Sequence, residues 1–114
     1  MKICKYCNKI IKDYPKKKYK DICSSCDVTR RRWLSKINLM EKMGNKCQHC
    51  GYTGNPGAFH FHHRDAKDKK YELNSENLLR RDKWDEAAKC DLLCANCHQI
   101  QHVNLTLIQK MGIL

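Results

Sequence analysis

The chain has 114 residues, nine cysteines and a formal net charge of +11 at pH 7. This length allows one domain, or one domain with a small appendage, and a core so modest that small folds of this kind often need metals or disulfides. No apolar run is long enough for a signal peptide or a bilayer span, so we expect no membrane partner and a reducing, cytoplasmic location.

The cysteines form a regular pattern. Eight of the nine fall into four Cys-x-x-Cys pairs, which in a reducing compartment are typical of zinc ligands rather than of disulfides. The pattern therefore predicts two structural Zn²⁺ sites, and the remaining Cys90 is expected to be a reduced, partly buried thiol. The predicted ligands are Cys4, Cys7, Cys23 and Cys26 for the first site, and Cys47, Cys50, Cys94 and Cys97 for the second.

The positive charge is concentrated in the first part of the chain. Residues 1–46 carry fourteen Lys and Arg against four Asp and Glu, whereas residues 47–114 carry nine against eight. Such an asymmetry favours a polyanionic partner, above all nucleic acid, over the alternative of an ordinary solvated lysine surface.

Residues 1–27 are predicted to form a zinc ribbon or knuckle, because each of two cysteine pairs can sit on a tight turn around one ion. The intervening segment is rich in lysine and contains two tyrosines, which either stack on bases or cover the zinc site. The candidate DNA contacts in this segment are Lys16, Lys17 and Lys18, and the tyrosines are Tyr14 and Tyr19.

Residues 28–46 are predicted to form a basic linking helix, capped by Asp27 and ended by Gly44. Trp33, Ile37 and Met40 recur at helical spacing and predict one apolar face. Three consecutive arginines near the start suit contacts with backbone phosphates, although a solvated helix end is the alternative. These candidate DNA contacts are Arg30, Arg31 and Arg32.

Residues 47–114 are predicted to be the compact body, a small zinc-stabilised α+β fold. "AFHFHH" alternates like a strand, with the phenylalanines on one face and His60 and His62 on the other. "KYEL" is interpreted as a short return strand. Asn74 or Ser75 is expected to cap a helical stretch that is broken near Asp82, and the last helix follows the closing cysteine pair.

The histidines suggest a second kind of metal site. His98 and His102 lie four residues apart, so on a helix both side chains project from one face and can bind one divalent ion. His62 and His63 are neighbours on a strand, so both can reach one site only where the strand ends or bulges. His60 is interpreted as a surface or supporting residue rather than a ligand.

The segments "CQHCG", "FHFHHRD" and "KCDLLCANCHQIQH" together resemble the zinc-bearing HNH nucleases of bacteriophages and mobile elements. The resemblance implies a ββα-metal core, with His63 as general base and with His62 and His98 as catalytic-site metal ligands. His102 matches the further ligand of members such as the colicin DNases. The chain departs from the family at Lys89, where an asparagine is usual; the alternatives for its orienting role are Asn74 and Asn77.

The resemblance implies a metal-dependent endonuclease that hydrolyses DNA phosphodiester bonds by nicking or double-strand cutting. It implies one catalytic divalent ion (Mn²⁺, Ni²⁺, Zn²⁺, Co²⁺ or Mg²⁺), and Arg64 is a further candidate DNA contact. The expected partners are DNA and, in a phage, the packaging machinery in the cytoplasm of the bacterial host. The alternative is a zinc-containing nucleic-acid-binding protein without catalysis.

Overall fold

The computed structural model describes residues 2–11 and 21–114, and it is a small α+β structure. The predicted contacts Lys16, Lys17 and Lys18, and the tyrosines Tyr14 and Tyr19, lie outside these residues. Two single-turn 3₁₀ helices, Pro56–Ala58 and Ala66–Asp68, flank the first strand. The helices and strands are α1 (Ser24–Lys42), β1 (Phe59–His63), α2 (Lys83–Ala87), β2 (Cys90–Cys94), α3 (Ala95–Gln101) and α4 (Leu105–Lys110). Within the described residues, none of the helices combines the length and apolar character needed to cross a bilayer.

β1 and β2 form a two-stranded antiparallel sheet in which Phe59 pairs with Cys94 and His63 pairs with Cys90. The predicted alternation of β1 is present, because Phe59 and Phe61 are buried while His60 and His62 are only partly covered. The prediction of a return strand at "KYEL" is wrong, since the partner strand is "CDLLC". That segment buries four of its five residues, whereas "KYEL" buries only its leucine.

α1 begins at Ser24, inside the second cysteine pair, with Cys23 as its N-cap. The Cys23 Sγ accepts a hydrogen bond from the backbone N–H of Cys26 at 3.4 Å, as a serine hydroxyl would at this position. The prediction that Asp27 caps the helix is therefore wrong: Asp27 lies in the first turn. The helix ends at Lys42, and Gly44 follows with φ +95°, in agreement with its predicted role as the stop.

α1 packs directly on the body of the protein rather than only leading to it. Leu39 and Met40 are buried in the same core cluster as Phe59, Phe61 and Leu92. On the same side of the helix, the buried Ser35 hydroxyl donates to the carbonyl of Leu78 and accepts from the Lys83 ammonium. The predicted apolar face is therefore rotated: Trp33 and Leu34 are 42% and 43% exposed, and Ser35 is inside.

Candidate metal centre and nucleic-acid interface

The N-terminal cysteines converge as their spacing predicts. The sulfur atoms of the four cysteines all lie within 4.8 Å of one another, and those of Cys7 and Cys23 are 3.6 Å apart. Four sulfurs about 2.3 Å from a tetrahedral zinc ion would be about 3.8 Å from one another, whereas a disulfide would bring two of them to about 2.0 Å. The group could hold a structural zinc ion. Its members are Cys4, Cys7, Cys23 and Cys26.

The second cysteine group ties the sheet to the loop after α1. All four sulfurs lie within 4.8 Å of one another, and those of Cys50 and Cys94 are 3.7 Å apart. Backbone N–H groups point at two of the sulfurs: Cys50 donates to Cys47 and Cys97 donates to Cys94, each at 3.5 Å. This group, Cys47, Cys50, Cys94 and Cys97, could also hold a structural zinc ion.

The thiol pKa values favour a cation at both groups. The backbone N–H of Cys23 lowers the pKa of Cys4. At Cys47, burial raises the pKa of the thiol but the backbone N–H groups around it outweigh burial and lower it. The pKa values of two other thiols are raised instead. The neighbouring Cys23 raises the pKa of Cys26, whereas burial and then the neighbouring cysteines raise the pKa of Cys97. Four thiolates can therefore coexist in each group only when a cation compensates their charge.

Three histidines form a third cluster above the sheet. One ring nitrogen from each of His62, His98 and His102 lies within 4.8 Å of the other two, and the Nε2 atoms of His98 and His102 are 3.1 Å apart. Two nitrogens about 2.0–2.1 Å from one ion would be about 2.9–3.4 Å apart, from octahedral to tetrahedral geometry. The donor set and spacing therefore fit one divalent ion.

The elements around this cluster explain why the three rings meet. Cys94 is the N-cap of α3 and its Sγ accepts from Cys97, so the cysteine pair fixes where the helix begins. His98 then lies in the helix and His102 is its C-cap, one turn later, both facing His62 on β1. The two rings share a face although α3 itself ends at Gln101, because His102 as the C-cap still has helical backbone angles.

His60 lies next to the three-histidine cluster without belonging to it. Its ring centroid is 4.8 Å from that of His98, nearer than the His62 ring at 5.4 Å. Burial and the Lys36 charge lower the pKa of His60, while burial and the three other imidazoles lower the pKa of His98. Both rings are therefore favoured in the neutral form, which is the form that binds metals.

His63 faces the opposite side of β1 from the metal cluster. The strand remains regular through the pair His63–Cys90, so the expected strand end or bulge does not turn His62 and His63 toward one site. Instead the His63 side chain is 6% exposed, and its Nε2 lies 2.6 Å from Oε2 of Glu86. His63 is thus held by a buried carboxylate and is not bare toward solvent.

Glu86 is the site residue that the sequence interpretation missed. Besides His63, its carboxylate accepts from the backbone N–H of Lys70 at 2.9 Å and from the Lys89 ammonium at 3.0 Å. Burial raises the pKa of the Glu86 carboxyl, but these donors outweigh burial and lower it to about 2. Lys89, where the HNH family usually has asparagine, therefore contacts His63 only through Glu86.

The two asparagines considered for the orienting role hold a loop instead. Asn74 accepts from the backbone N–H of Glu76 at 3.1 Å, and the Asn77 side chain donates to the carbonyl of Glu72 at 2.7 Å. The side-chain hydrogen bonds of both asparagines lie within residues 72–77. The prediction that Asn74 or Ser75 caps a helix is wrong, because residues 74–79 form a bend and turns and the regular helix α2 begins only at Lys83, after Asp82.

The predicted DNA-contacting arginines lie in different surroundings. Arg64 donates to the carbonyls of Cys90 and Ala88 and to the carboxylate of Asp91, so it ties the end of β1 to β2. Arg31 lies 3.5 Å from Asp27. Arg30 and Arg31 are exposed, and Arg32 lines a cavity beside the histidine cluster.

Comparisons with known proteins give no match to this chain. No protein-family model, curated protein or solved structure matches the chain.

Proposed function

We propose that the chain is a metal-dependent endonuclease of HNH type that hydrolyses phosphodiester bonds in DNA. The observation that carries the proposal is the convergence of His62, His98 and His102 within 4.8 Å, on a strand and a helix that also belong to the second four-cysteine group or pair with it. The order of β1, β2 and α3 agrees with the ββα-metal arrangement that the resemblance implies.

The three imidazoles would hold the catalytic ion. When bound, a divalent ion there would supply positive charge to a phosphate oxygen and to the departing 3′ oxygen. Imidazole ligands suit Mn²⁺, Ni²⁺, Co²⁺ or Zn²⁺ better than Mg²⁺, which prefers oxygen ligands. The excess of Lys and Arg in residues 1–46 supports DNA as the polyanion.

We assign removal of the proton from the attacking water to His63. With Nε2–H donated to the Glu86 carboxylate, Nδ1 is left as the proton acceptor, as in other carboxylate–histidine pairs. Glu86 then fixes the ring and stabilises the imidazolium that forms. In the structure the His63 side chain is 6% exposed and faces the other side of β1 from the three-histidine cluster. The role therefore requires the end of β1 to open, so that Nδ1 and the ion can act on the same phosphate.

The burial of His63 also favours a second candidate, a nucleic-acid-binding zinc protein without catalysis. In that protein the His63–Glu86 pair would only stabilise the core, and the three converging histidines would hold a third structural ion. The two candidates differ in one property, because only the nuclease cuts DNA when the ion is supplied.

The test is conversion of supercoiled plasmid to nicked or linear DNA in Mn²⁺. We expect wild type to cut, and His98→Ala and His63→Ala each to lower the rate at least about 100-fold, the lower end of what a general base contributes. Gln99→Ala is the matched control, since Gln99 is exposed on the same turn of α3 and outside the cluster. We expect it to cut like wild type.

The outcomes separate the assignments. Absence of cutting by wild type in Mn²⁺, Ni²⁺ and Zn²⁺ would overturn the nuclease proposal and leave the binding protein. Cutting by His63→Ala at the full rate, with His98→Ala inactive, would keep the metal centre and remove His63 as the base.

A further inference from the structure

A cavity of about 410 Å³ opens beside the histidine cluster, between α1, β1 and the loop of residues 72–78. Its size falls within the range of about 300–1,000 Å³ that is usual for small-ligand sites. The floor is apolar, with Phe61 and Leu78 among its residues. The charged and aromatic residues that line it are Arg32, Trp33, Lys36, His60, Glu72 and His98.

The lining combines an aromatic surface with two cations and one carboxylate, that of Glu72, so the two cations outnumber the anion. Trp33 is 42% exposed although it belongs to a helix packed on the body, and its ring lies 5.3 Å from the Lys36 ammonium. Arg32 lies beside it on the same cavity. A flat aromatic ring next to positive charges is the combination that binds a base and its phosphate.

The cavity is continuous with the metal cluster. His60 and His98 line the cavity, their ring centroids are 4.8 Å apart, and His98 also belongs to the metal-binding triad. A phosphate held at the triad would therefore place a neighbouring nucleotide at the mouth of the cavity.

We propose that this cavity receives one unpaired nucleobase next to the scissile phosphate, stacked on Trp33, with Arg32 and Lys36 facing the phosphate of that nucleotide. The inference rests on the proposed nuclease function, because it extends the same site. A base inside a duplex has both faces covered by its neighbours, and only an unpaired or extruded base can enter a recess of this kind. The preferred substrates are thus DNA strands with a bulged or single-stranded nucleotide.

The test is a binding comparison without added divalent ion, so that no cutting is needed. Fluorescence anisotropy is measured with a labelled duplex and with the same duplex carrying one bulged thymine. One stacked base contributes about 5-fold to about 150-fold in affinity, so we expect wild type to bind the bulged duplex more tightly by a factor in that range. Trp33→Ala should lose this preference and bind the perfect duplex as before, while Trp33→Phe should retain most of it.

The matched control is Trp84→Ala. Trp84 has nearly the same exposure, 43%, and two lysines near its ring, but it lies on α2 and does not line this cavity. The control should keep the preference. Equal affinity of wild type for the two duplexes, or an equal loss for both in Trp33→Ala, would overturn the proposal.

The outcome is independent of the plasmid assay. The protein could prefer the bulged duplex through Trp33 and yet cut no DNA. That result would support the nucleobase site and overturn the proposed nuclease function. Plasmid cutting without any preference would keep the nuclease and overturn the nucleobase site.

Discussion

Replacing Glu86 with glutamine is expected to lower the free energy of unfolding by about 3 kcal/mol. The Glu86 side chain is 2% exposed, and its two oxygens accept from the His63 ring, the Lys70 backbone N–H and the Lys89 ammonium. Glutamine has one acceptor oxygen, and its NH₂ group would face a donor. At least one buried group would therefore lose its partner.

The magnitude follows from the acidity of this carboxyl. Burial raises the pKa of Glu86, but its hydrogen-bond donors lower it to about 2, from an ordinary value of 4.5. Since a factor of ten in an equilibrium constant is about 1.4 kcal/mol, the folded structure favours the charged form by about 3 kcal/mol. A carboxyl with a lowered pKa contributes this stability above pH 4.5 and loses it as the pH falls toward 2. Measurement at pH 7 therefore captures the whole contribution.

The assay is urea unfolding at pH 7 in the presence of zinc, followed by far-UV circular dichroism. Small domains are stable by only about 5–15 kcal/mol, so the expected loss shifts the midpoint strongly. The control is Glu76→Gln, an exposed carboxylate, which should change stability by less than about 0.5 kcal/mol. A loss below about 1 kcal/mol for Glu86→Gln would refute the reasoning, because the carboxylate would then not be held by these donors.

Three other predictions concern the metals and the ninth cysteine. Cys94→Ser should lower the zinc content of the purified protein from two ions to one and destabilise β2 and α3, and retention of both ions would contradict the second site. Burial, together with the Glu86 charge, raises the pKa of Cys90 to about 11, so about one Cys90 thiol in a thousand is ionised at pH 8. Iodoacetamide should therefore leave Cys90 unmodified, which mass spectrometry can measure. Plasmid cutting should be faster in Mn²⁺ or Ni²⁺ than in Mg²⁺, and equal rates would argue against three imidazole ligands.

Features that depend on local chemistry were predictable from the sequence. A Cys-x-x-Cys pair brings two sulfurs together within one turn, so the four pairs predict two four-cysteine groups that the structure assembles. The alternation of "FHFHH" predicts two faces of one strand, and β1 has them. The buried Cys90 also agrees with the expectation for the unpaired thiol.

Features that depend on distant partners were not predictable in the same way. The identity of the second strand was missed because "KYEL" and "CDLLC" both have strand-like sequences, and only pairing with β1 decides between them. The cap of α1 was assigned to Asp27 because the sulfur of a cysteine was not considered as a hydrogen-bond acceptor. Glu86 was missed because its donors come from residues 63, 70 and 89, which only the folded chain brings together.

The histidines illustrate the limit most clearly. Helical spacing brings His98 and His102 together, and β1 supplies His62 to the same cluster. His63 could join them only if β1 had a bulge, and no residue type in the sequence predicts or excludes a bulge. In the structure β1 pairs regularly with Cys90, so the His63 side chain points toward Glu86 instead.

The measurement that tests the central claim most directly is the number of divalent ions bound in addition to those at the two four-cysteine groups. Equilibrium dialysis against Ni²⁺ is compared for wild type, for Gln99→Ala and for the double variant His98→Ala with His102→Ala. We predict one additional ion in the first two proteins and none in the double variant, with both zinc ions retained in all three. Equal uptake of Ni²⁺ by the double variant would contradict the account, because the ion would then be bound elsewhere.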